Sequence, residues 1–375
     1  MKILNIVGAR PNFMKVAPLH SSFLRYADLN SQIVHTGQHY DERMSDIFFN
    51  QLGMPKPDHF LGIGSGSHAV VTAKIMLAFE KIVLEEKPDI VLVVGDVNST
   101  LACALVTKKL NIPLAHVEAG LRSGDRNMPE ELNRILTDSI SDFLFVTEQS
   151  GIDNLRKEGV PDDKVFFAGN VMIDSLYNYK EKALQLDLIY ELGIRSKEYV
   201  LMTMHRPSNV DHEDHLKEVV DLIINISKEE KIVFPLHPRT KKNLIKFGYL
   251  KQLEHLDNLI MLAPQGYIQF VHLMMHSRVI ITDSGGIQEE TTALKIPCLT
   301  IRDSTERPVT IDIGSNILIP ELEANLIYNH YKNCSSKSDD HYGIPPLWDG
   351  KAADRITEII YNSLKEKASS AVPVL

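Results

Sequence analysis

Three acidic residues occupy positions from which they could exchange protons with a substrate. Asp96 and Glu118 each follow a short apolar run. Glu131 comes early in a stretch with helical periodicity, next to Glu130. Carboxylates on a strand end and on the next helix can approach one substrate from different sides, so Glu118 and Glu131 are candidates for acid–base chemistry, and Asp96 is a further candidate. Two simpler roles stay open, since Asp96 could cap the helix that begins near Ser99 and Glu130 suits a helix N-terminus.

Another set of residues could bind phosphate groups. Ser284-Gly285-Gly286 follows an apolar run and opens a predicted helix, so free N–H groups and the positive end of the helix dipole would face an anion. Arg10 and Lys15 follow the first predicted strand and could add two positive charges. The sequence thus predicts a diphosphate site, although a tight turn capped by Ser284 is the simpler alternative.

Two acids beyond the glycine turn favour a nucleotide over a plain turn. Glu289 and Glu290 lie about one helical turn after Gly285 and Gly286. A carboxylate on the inner face of that helix could accept hydrogen bonds from the hydroxyl groups of a ribose. The predicted anion site is therefore one for the diphosphate of a nucleotide.

The scaffold that must position these residues is a pair of parallel sheets. Short β-branched runs alternate with longer amphipathic stretches, which predicts βαβ units and an α/β fold. Ligands of such sheets bind beyond the carboxyl ends of the strands, and the polar residues there predict a cleft between two sheets. The predicted strands are Ile3–Val7, Gln32–Thr36, Asp89–Val94, Pro113–Val117, Phe143–Val146, Val165–Ala168, Tyr199–Met204, Ile232–Leu236, Leu259–Leu262, Val279–Thr282 and Cys298–Ile301. The polar residues at their ends are Arg10, Gln38, His39, Asp96, His116, Glu118, His205, Arg206, His237, Asp283, Ser284 and Arg302.

The order of these segments predicts two domains and a returning helix. A polar helical stretch from Asp174 to Leu192 separates the two series of strands. We therefore predict an N-terminal domain over residues 1–170, a C-terminal domain over 171–350, and a final segment over 351–375 that packs back on the first domain. In the second series, the clearest helix should begin with Asp211 as its N-cap.

Composition excludes several classes of protein. The 375 residues suit two domains, and 44% hydrophobic with 24% charged residues is ordinary for a folded soluble chain. The 40 basic and 49 acidic residues give a net charge of −9, which opposes nucleic-acid binding. Cys103, Cys298 and Cys334 lie too far apart for a Cys-x-x-Cys site, and no apolar run reaches membrane-spanning length. We predict a cytoplasmic protein with neither a nucleic-acid nor a membrane partner.

Several motifs of other enzyme classes are incomplete or absent in this sequence. Gly64-x-Gly66-x-x-Ala69 lacks a convincing preceding strand, which weakens a nicotinamide site. His116-x-Glu118 is similar to a zinc deaminase motif, but no second cysteine follows Cys298. The sequence contains neither a Walker A motif nor a Gly-x-Ser-x-Gly elbow.

Taken in order, the motifs resemble those of the non-hydrolysing UDP-N-acetylglucosamine 2-epimerases over nearly the whole chain. They are Gly8-Ala9-Arg10-Pro11 with Lys15, Thr36-Gly37-Gln38-His39, Gly95-Asp96, His116-Val117-Glu118-Ala119-Gly120-Leu121-Arg122, Pro129-Glu130-Glu131-Leu132-Asn133-Arg134, His205-Arg206, Ser284-Gly285-Gly286-Ile287-Gln288-Glu289-Glu290 and Arg302-Asp303-Ser304-Thr305-Glu306-Arg307-Pro308. The resemblance implies two Rossmann-like domains of the GT-B and glycogen-phosphorylase type, with the active site in the inter-domain cleft. It also implies a cytoplasmic homodimer that uses neither a metal ion nor a nicotinamide cofactor.

The resemblance further implies a reaction and its residues. UDP leaves by anti elimination to give 2-acetamidoglucal. Protonation of C2 on the other face and re-addition of UDP then give the sugar with inverted C2. The product would serve as a precursor of surface polysaccharide. The implied catalytic residues are Asp96, Glu118, Glu131 and His205. The implied substrate-binding residues are Arg10, Lys15, Gln265, Phe270, Ser284, Gly285, Gly286, Glu290 and Arg307. Some bacterial members bind a second, activating UDP-N-acetylglucosamine, and the corresponding residues here are Gln38, His39, Arg43 and Arg134.

Departures from the common family pattern bear on the substrate. Ala9 replaces a frequent threonine, Pro207-Ser208-Asn209 replaces the usual Arg-Glu-Asn, and the segment Gly124–Met128 is short. Such features also occur in relatives that act on diacetamido uronic acid nucleotides, whereas Glu289 and Arg307-Pro308 argue for UDP-N-acetylglucosamine. A GT-B glycosyltransferase and a non-catalytic sugar-nucleotide sensor are the alternatives of other classes.

Overall fold

The computed structural model describes residues 1–37, 56–334 and 342–370. Within them the chain divides into two compact units, one formed by Met1–Ser175 with Pro346–Leu375 and the other by Leu176–Pro345. The sequence placed the first boundary near residue 170. No helix in the described ranges is long and apolar enough to cross a membrane.

The first unit contains a seven-stranded sheet in which all neighbouring strands are parallel. Its strands are Lys2–Val7 (β1), Asn30–His35 (β2), His59–Phe60 (β3), Ile90–Val94 (β4), Leu114–Ala119 (β5), Phe143–Val146 (β6) and Val165–Phe167 (β7). The spatial order is β3-β2-β1-β4-β5-β6-β7, so the order reverses between β1 and β4. That reversal is the point at which doubly wound sheets bind their ligands.

The second unit repeats the same plan with six parallel strands. They are Tyr199–Thr203 (β8), Lys231–Pro235 (β9), Leu259–Leu262 (β10), Val279–Thr282 (β11), Cys298–Ile301 (β12) and Asn316–Ile319 (β13). Their order, β10-β9-β8-β11-β12-β13, reverses between β8 and β11. The predicted fold class of two Rossmann-like α/β domains is confirmed.

Helices connect the strands in both units. They are Arg10–Phe23 (α1), His68–Glu86 (α2), Asn98–Lys109 (α3), Pro129–Ile140 (α4), Gln149–Lys157 (α5), Val171–Leu184 (α6), Leu188–Glu191 (α7), Pro207–Val210 (α8), Glu213–Ser227 (α9), Pro238–Lys246 (α10), Leu250–Glu254 (α11), Tyr267–His276 (α12), Gly285–Leu294 (α13), Val309–Asp312 (α14), Ala324–Cys334 (α15) and Ala352–Ser370 (α16), with a short 3-10 turn at Asp162–Lys164.

Central strands are buried on both faces, which explains their continuous apolar runs. All five residues of β4 are buried, and so are Val279 to Thr282 of β11. Parallel strands covered by helices on both sides show this pattern, whereas half-exposed strands alternate. Each sheet therefore presents its polar residues mainly at its ends, where the chain leaves the strand.

Two helix predictions were wrong in detail. The helix expected to start at Asp211 begins at Glu213, because the Asp211 carboxylate accepts hydrogen bonds from Arg239 Nε (2.8 Å) and Asn243 Nδ2 (3.0 Å) instead of capping a helix. The stretch expected as one helix from Asp174 to Leu192 is α6 followed by α7. The chain turns between them, with the Leu186 N–H donating to the Ala183 carbonyl.

Candidate active site

The turn after β1 is tied to β4 at the reversal point of the first sheet. The side-chain oxygen of Asn12 accepts hydrogen bonds from the N–H groups of Gly8 (3.2 Å) and Ala9 (2.9 Å). The Asn12 amide donates to the carbonyl of Val94 at the end of β4 (3.1 Å). The start of α1 is thereby fixed beside the end of β4. Arg10 opens this helix, and its side chain lies outside the described part of the structure.

Lys15 and Glu118 form a buried ion pair at this edge of the sheet. Lys15 lies on the second turn of α1, and Glu118 lies near the end of β5. Gly95, which follows β4, lies against the pair, since a Cβ atom there would come 3.3 Å from both Lys15 Nζ and Glu118 Oε2. The sequence predicted Glu118 at a strand end and Lys15 one helical turn after Arg10, and the structure brings the two charges into contact.

Glu118 has a backbone conformation that favours glycine. Its φ angle is +71°, and the pairing of β5 with β6 shifts register between Val117 and Ala119. A left-handed conformation in a residue with a long side chain costs free energy and occurs mainly where the surrounding structure enforces it, often at functional sites. The bulge therefore marks Glu118 as a candidate site residue independently of its charge.

Arg134 joins the other two predicted acid–base residues. Its guanidinium donates to Asp96 Oδ2 through NH2 (2.7 Å) and Nε (3.0 Å), and to Glu131 Oε2 through NH1 (2.5 Å). The helix-cap role considered for Asp96 is wrong, because α3 begins after Val97 without a side-chain cap. Asp96, Glu131 and the Lys15–Glu118 pair all lie at or beside the carboxyl ends of β4 and β5.

Glu131 is held as a carboxylate. Burial alone would raise its pKa, but the N–H groups of Ser123 and Gly124 (2.9 Å each) and the Arg134 guanidinium outweigh burial and lower the pKa. These three partners stabilise only the charged form. An ionised Glu131 can accept a proton from a substrate without first losing one.

A buried polar network lies directly behind these acids. His116 Nδ1 contacts Asp138 Oδ1 (2.6 Å), and its Nε2 contacts the Gly95 carbonyl (2.9 Å). Asp138 also accepts from Arg122 NH2 (2.7 Å) and from the Gly120 N–H (3.0 Å). This network fixes the segments on either side of Asp96 and Glu118. Asp138 lies within α4 and carries no sequence signal that separates it from an exposed helix residue.

In the second sheet, His205 follows β8 and Asp283 follows β11, at the corresponding reversal point. His205 Nδ1 lies 2.7 Å from Asp283 Oδ1. The fully buried Asp283 also accepts the backbone N–H groups of His205 and Arg206, each at 2.8 Å. The loop after β8 is thus fixed on the residue that immediately precedes Ser284.

The glycine turn opens α13 as predicted, and two arginines lie against it. A Cβ atom on Gly285 would come 3.3 Å from Arg302 NH1 and 3.3 Å from Arg307 NH1, while Gly286 faces open space. Ser284 occupies the N-cap position but makes no side-chain cap hydrogen bond, so capping does not explain it. Free N–H groups with two guanidiniums beside them form a strong anion site.

Acidic partners hold the two arginines in place. Glu306 forms ion pairs with Arg302 (3.0 Å) and with Arg307, and Arg307 Nε contacts Glu289 Oε1 (2.7 Å). Burial lowers the pKa of Arg302, which nonetheless keeps its charge at neutral pH. The ribose role considered for Glu289 is not favoured, because that carboxylate supports Arg307.

Glu290 faces a different partner. Its Oε1 accepts a hydrogen bond from Tyr267 Oη (2.8 Å). Burial, aided by the neighbouring charge of Glu289, raises the pKa of Glu290 to about 7 against the opposing hydrogen bond from Tyr267. Phe270 is half-buried on the same helix as Tyr267, α12, and Gln265 is half-buried just before it, donating to the Ala263 carbonyl (2.8 Å).

Comparison with known proteins identifies the family. A family model described as UDP-N-acetylglucosamine 2-epimerase matches residues 23–361. The chain belongs to this family. The UDP-N-acetylglucosamine 2-epimerase of Methanocaldococcus jannaschii is 42% identical over 96% of this chain and 99% of its own length.

A solved structure of that relative and one further similar protein are informative. A crystal structure of the M. jannaschii UDP-GlcNAc 2-epimerase in complex with UDP-GlcNAc and UDP is 40% identical, with a TM-score of 0.87 over 96% of this chain and 100% of that one. The UDP-2,3-diacetamido-2,3-dideoxy-D-glucuronate 2-epimerase of Pseudomonas aeruginosa is 39% identical over 96% of this chain and 99% of its own length. Proteins of similar identity to this chain are thus named for different sugars.

The predicted site residues of this epimerase-family chain fall into two groups. Those around the first reversal point are Lys15, Asp96, Glu118, Glu131 and Arg134, and those around the second are His205, Ser284, Gly285, Gly286 and Arg307. Gln38, His39 and Arg43, predicted for a second nucleotide-sugar site, lie outside the described residues. Arg134, predicted for that same site, is engaged by Asp96 and Glu131.

Proposed function

We propose that this chain is a UDP-N-acetylglucosamine 2-epimerase that interconverts UDP-GlcNAc and UDP-ManNAc. The observation that carries the proposal is the grouping of Asp96, Glu118 and Glu131 with two basic side chains, Lys15 and Arg134, at one edge of a single sheet. Membership of the family and the names of the similar relatives support it. We assign the activity to the cytoplasm and to the supply of sugar precursors for surface polysaccharide.

The C2 hydrogen of the substrate is not adjacent to a carbonyl group, so UDP departure must help to release it. The C1–O bond breaks, its electron pair leaves with UDP, and C1 gains oxocarbenium character before a carboxylate takes the C2 proton. The product of this step is enzyme-held 2-acetamidoglucal. Protonation of C2 from the opposite face and return of UDP to C1 give the 2-epimer.

Residues divide between these tasks in the proposal. Asp96, Glu118 and Glu131 remove and return the C2 proton, and Lys15 and Arg134 balance their charges. UDP binds to the N–H groups at Ser284–Gly286 and to Arg10, His205 and Arg307, and Glu290 binds the ribose. Gln265 and Phe270 complete the substrate-binding set.

The test is proton NMR of the purified protein with UDP-GlcNAc in D₂O. We expect deuterium at C2 and both epimers still bound to nucleotide. Glu131→Gln should slow this exchange by about 100-fold or more, because it removes a proton-transfer group, while binding of UDP stays within about twofold. Glu130→Gln, the neighbouring acid on α4, is the matched control and should exchange at the wild-type rate. A spectrum that stays unchanged in the wild type would refute the proposal.

The similarity to the P. aeruginosa enzyme makes a diacetamido uronic acid nucleotide the second candidate substrate. The same D₂O experiment with UDP-2,3-diacetamido-2,3-dideoxy-D-glucuronate separates the two. Exchange with that nucleotide, and none with UDP-GlcNAc, would move the assignment to the uronic acid. Transfer of the sugar to an acceptor without epimer formation would indicate a glycosyltransferase, and tight binding without turnover would indicate a sensor.

We also propose that the chain forms a homodimer through α2 and α4, which both contact α3. Val70, Leu77 and Leu84 recur every seven residues on α2 with exposures of 46–67%, and the half-exposed Leu132 and Leu136 share one face of α4. Exposed apolar faces of this kind typically mark protein–protein contacts.

Light scattering on Leu77→Asp should report a monomer of half the wild-type mass, whereas Leu184→Asp, in the other unit, should leave the dimer intact. A monomeric wild type would refute the dimer.

A further inference from the structure

The carboxylate of Asp283 uses only one of its two oxygens to hold the loop after β8. Its Oδ2 accepts from the N–H groups of His205 and Arg206 (2.8 Å each) and from Asn209 Nδ2 (3.2 Å). These three donors suffice to hold the loop after β8. The other oxygen, Oδ1, faces only the ring of His205 among the described residues, with Nδ1 at 2.7 Å.

Asp283 is ionised in this arrangement. Burial alone would raise its pKa, but the hydrogen bond and charge of His205, with the backbone N–H groups of Arg206 and His205, lower it. A carboxylate accepts and cannot donate, so His205 must carry a proton on Nδ1. The backbone N–H and the ring of His205 both bind the same carboxylate, which also restricts rotation of the side chain.

We propose that Asp283 is a positioning residue that fixes His205 in the tautomer protonated on Nδ1. Nε2 then carries no hydrogen in the neutral ring, so it is the nitrogen that takes up a proton and, once protonated, donates a hydrogen bond to the diphosphate of the substrate. This inference rests on the proposed function only where it gives His205 a role toward UDP. The tautomer itself is a property of the free protein.

The neighbouring histidine is arranged in the opposite way. His237 follows β9, and its ring centroid lies 5.4 Å from that of His205. Its Nδ1 accepts the backbone N–H of Arg239 (3.2 Å), so a neutral His237 carries its proton on Nε2. Burial, followed by the nearby His205 charge, lowers the pKa of His237 and keeps it neutral. His205 therefore has a neutral ring on one side and the Asp283 carboxylate at Nδ1.

The substitution Asp283→Asn separates the two oxygens of the carboxylate. An asparagine can place its oxygen at the Oδ2 position and keep the loop, but its NH₂ group then faces His205 Nδ1 and donates to it. The ring must shift its proton to Nε2. We expect kcat to fall by about 100-fold or more with KM changed by less than about threefold. Asn209→Ala is the control, because it removes one donor from Oδ2 and leaves Oδ1 unchanged.

The tautomer is read from long-range proton–nitrogen NMR spectra of the protein labelled with ¹⁵N-histidine, with the His205 signals assigned from a His205→Gln sample. We expect Nδ1–H in the wild type and in Asn209→Ala, and Nε2–H in Asp283→Asn. An Nε2–H signal in the wild type would overturn the inference even if the variant did not fold. An unchanged tautomer in a folded Asp283→Asn would also overturn it. The expected tautomers in a protein inactive toward UDP-GlcNAc would instead refute the proposed function.

Discussion

At the scale of single residues, Glu118 combines two unfavourable features, a left-handed backbone and a buried charge. A conformation of this kind costs of order 1–3 kcal/mol, and the charge is tolerable only beside Lys15. A carboxylate that only filled space could be replaced by an apolar side chain without either cost. The arrangement is understandable if the carboxylate is needed at this edge of the sheet.

The Lys15–Glu118 pair leads to a stability prediction. Lys15→Met leaves the Glu118 charge buried without its cation and should lower the free energy of unfolding by about 3 kcal/mol. Glu118→Gln added to Lys15→Met removes the uncompensated charge and should restore most of the loss. Urea unfolding monitored through Trp348, which is buried in the same unit, measures both variants. A double variant no more stable than Lys15→Met would contradict this account.

Glu290 leads to a prediction on pH. Its pKa in the folded protein, about 7, lies above the ordinary value of 4.5, so the folded state binds more protons between these values. Stability should therefore fall as pH rises from about 4.5 to 7, by about 1–3 kcal/mol. Glu290→Gln keeps an acceptor for Tyr267 and should remove this fall while weakening UDP binding.

The measurement for Glu290 is urea unfolding followed by circular dichroism at pH 5 and pH 8. Glu290→Gln should be more stable relative to the wild type at pH 8 than at pH 5. Glu321→Gln changes an exposed acid in the same unit and should show no such difference. Equal pH dependence in the wild type and Glu290→Gln would show that the buried carboxyl group does not titrate in this range.

At the scale of elements, the loop after β5 contains two glycines, Gly120 and Gly124, that other residues would replace at different cost. Both have positive φ angles, +79° and +77°. A Cβ atom on Gly120 would collide with the backbone of Gly151 in α5, whereas one on Gly124 would meet nothing within 4 Å. Comparing substitutions at Gly120 and Gly124 therefore separates the cost of backbone strain from the cost of a steric clash.

We expect Gly124→Ala to cost about 1 kcal/mol, the penalty for a left-handed conformation alone. Gly120→Ala should cost about 3 kcal/mol or more, because β5 and α5 must also move apart. Thermal unfolding of the two variants checks the difference. Similar melting temperatures would mean that the contact between Gly120 and α5 yields easily, and the rigid placement of Glu118 would then be in doubt.

Sequence reasoning predicted the bounds of four strands correctly. Val279–Thr282 and Cys298–Ile301 are buried along their whole length, and strands buried on both faces form continuous apolar runs. Phe143–Val146 and Leu259–Leu262 also have the predicted bounds, although they are only partly buried. Sequence reasoning missed β3 and β13. The first is only two residues long, with Phe60 half-exposed, and the second is a short, partly buried strand at the sheet edge.

The candidate site was predictable in its residues and not in its contacts. Strand ends and motifs located Asp96, Glu118 and Glu131, but no local pattern indicated that Arg134 would bind two of them. Partner choice depends on which side chains the helix α4 turns toward the sheet. Such choices are set by packing between elements distant in the chain, and a local pattern does not contain them.

At the scale of the whole molecule, the last helix returns to the first unit and packs on α1, the helix that carries Lys15. Asp354 forms an ion pair with Arg25 and accepts a hydrogen bond from Ser22 (3.0 Å). The Asp174 carboxylate accepts the first N–H groups of α16, and burial raises its pKa to about 6. The chain end thus supports the helix from which Lys15 reaches Glu118.

This arrangement predicts that a charge on the buried face of α16 disturbs the distant site. Ile360 is fully buried and Asn362 is exposed on the same helix. Ile360→Asp places an unpaired charge at a fully buried position and should cost about 4 kcal/mol, whereas Asn362→Asp adds the same charge at little cost. Trp348, which precedes α16 and donates to the Thr147 carbonyl (2.9 Å), should become exposed in Ile360→Asp and emit at longer wavelength. UDP should still bind, because the glycine turn, His205 and Arg307 belong to the other unit, and of the residues proposed for UDP only Arg10 lies in the first. If Ile360→Asp lost both UDP binding and C2 exchange, the two units would not fold independently.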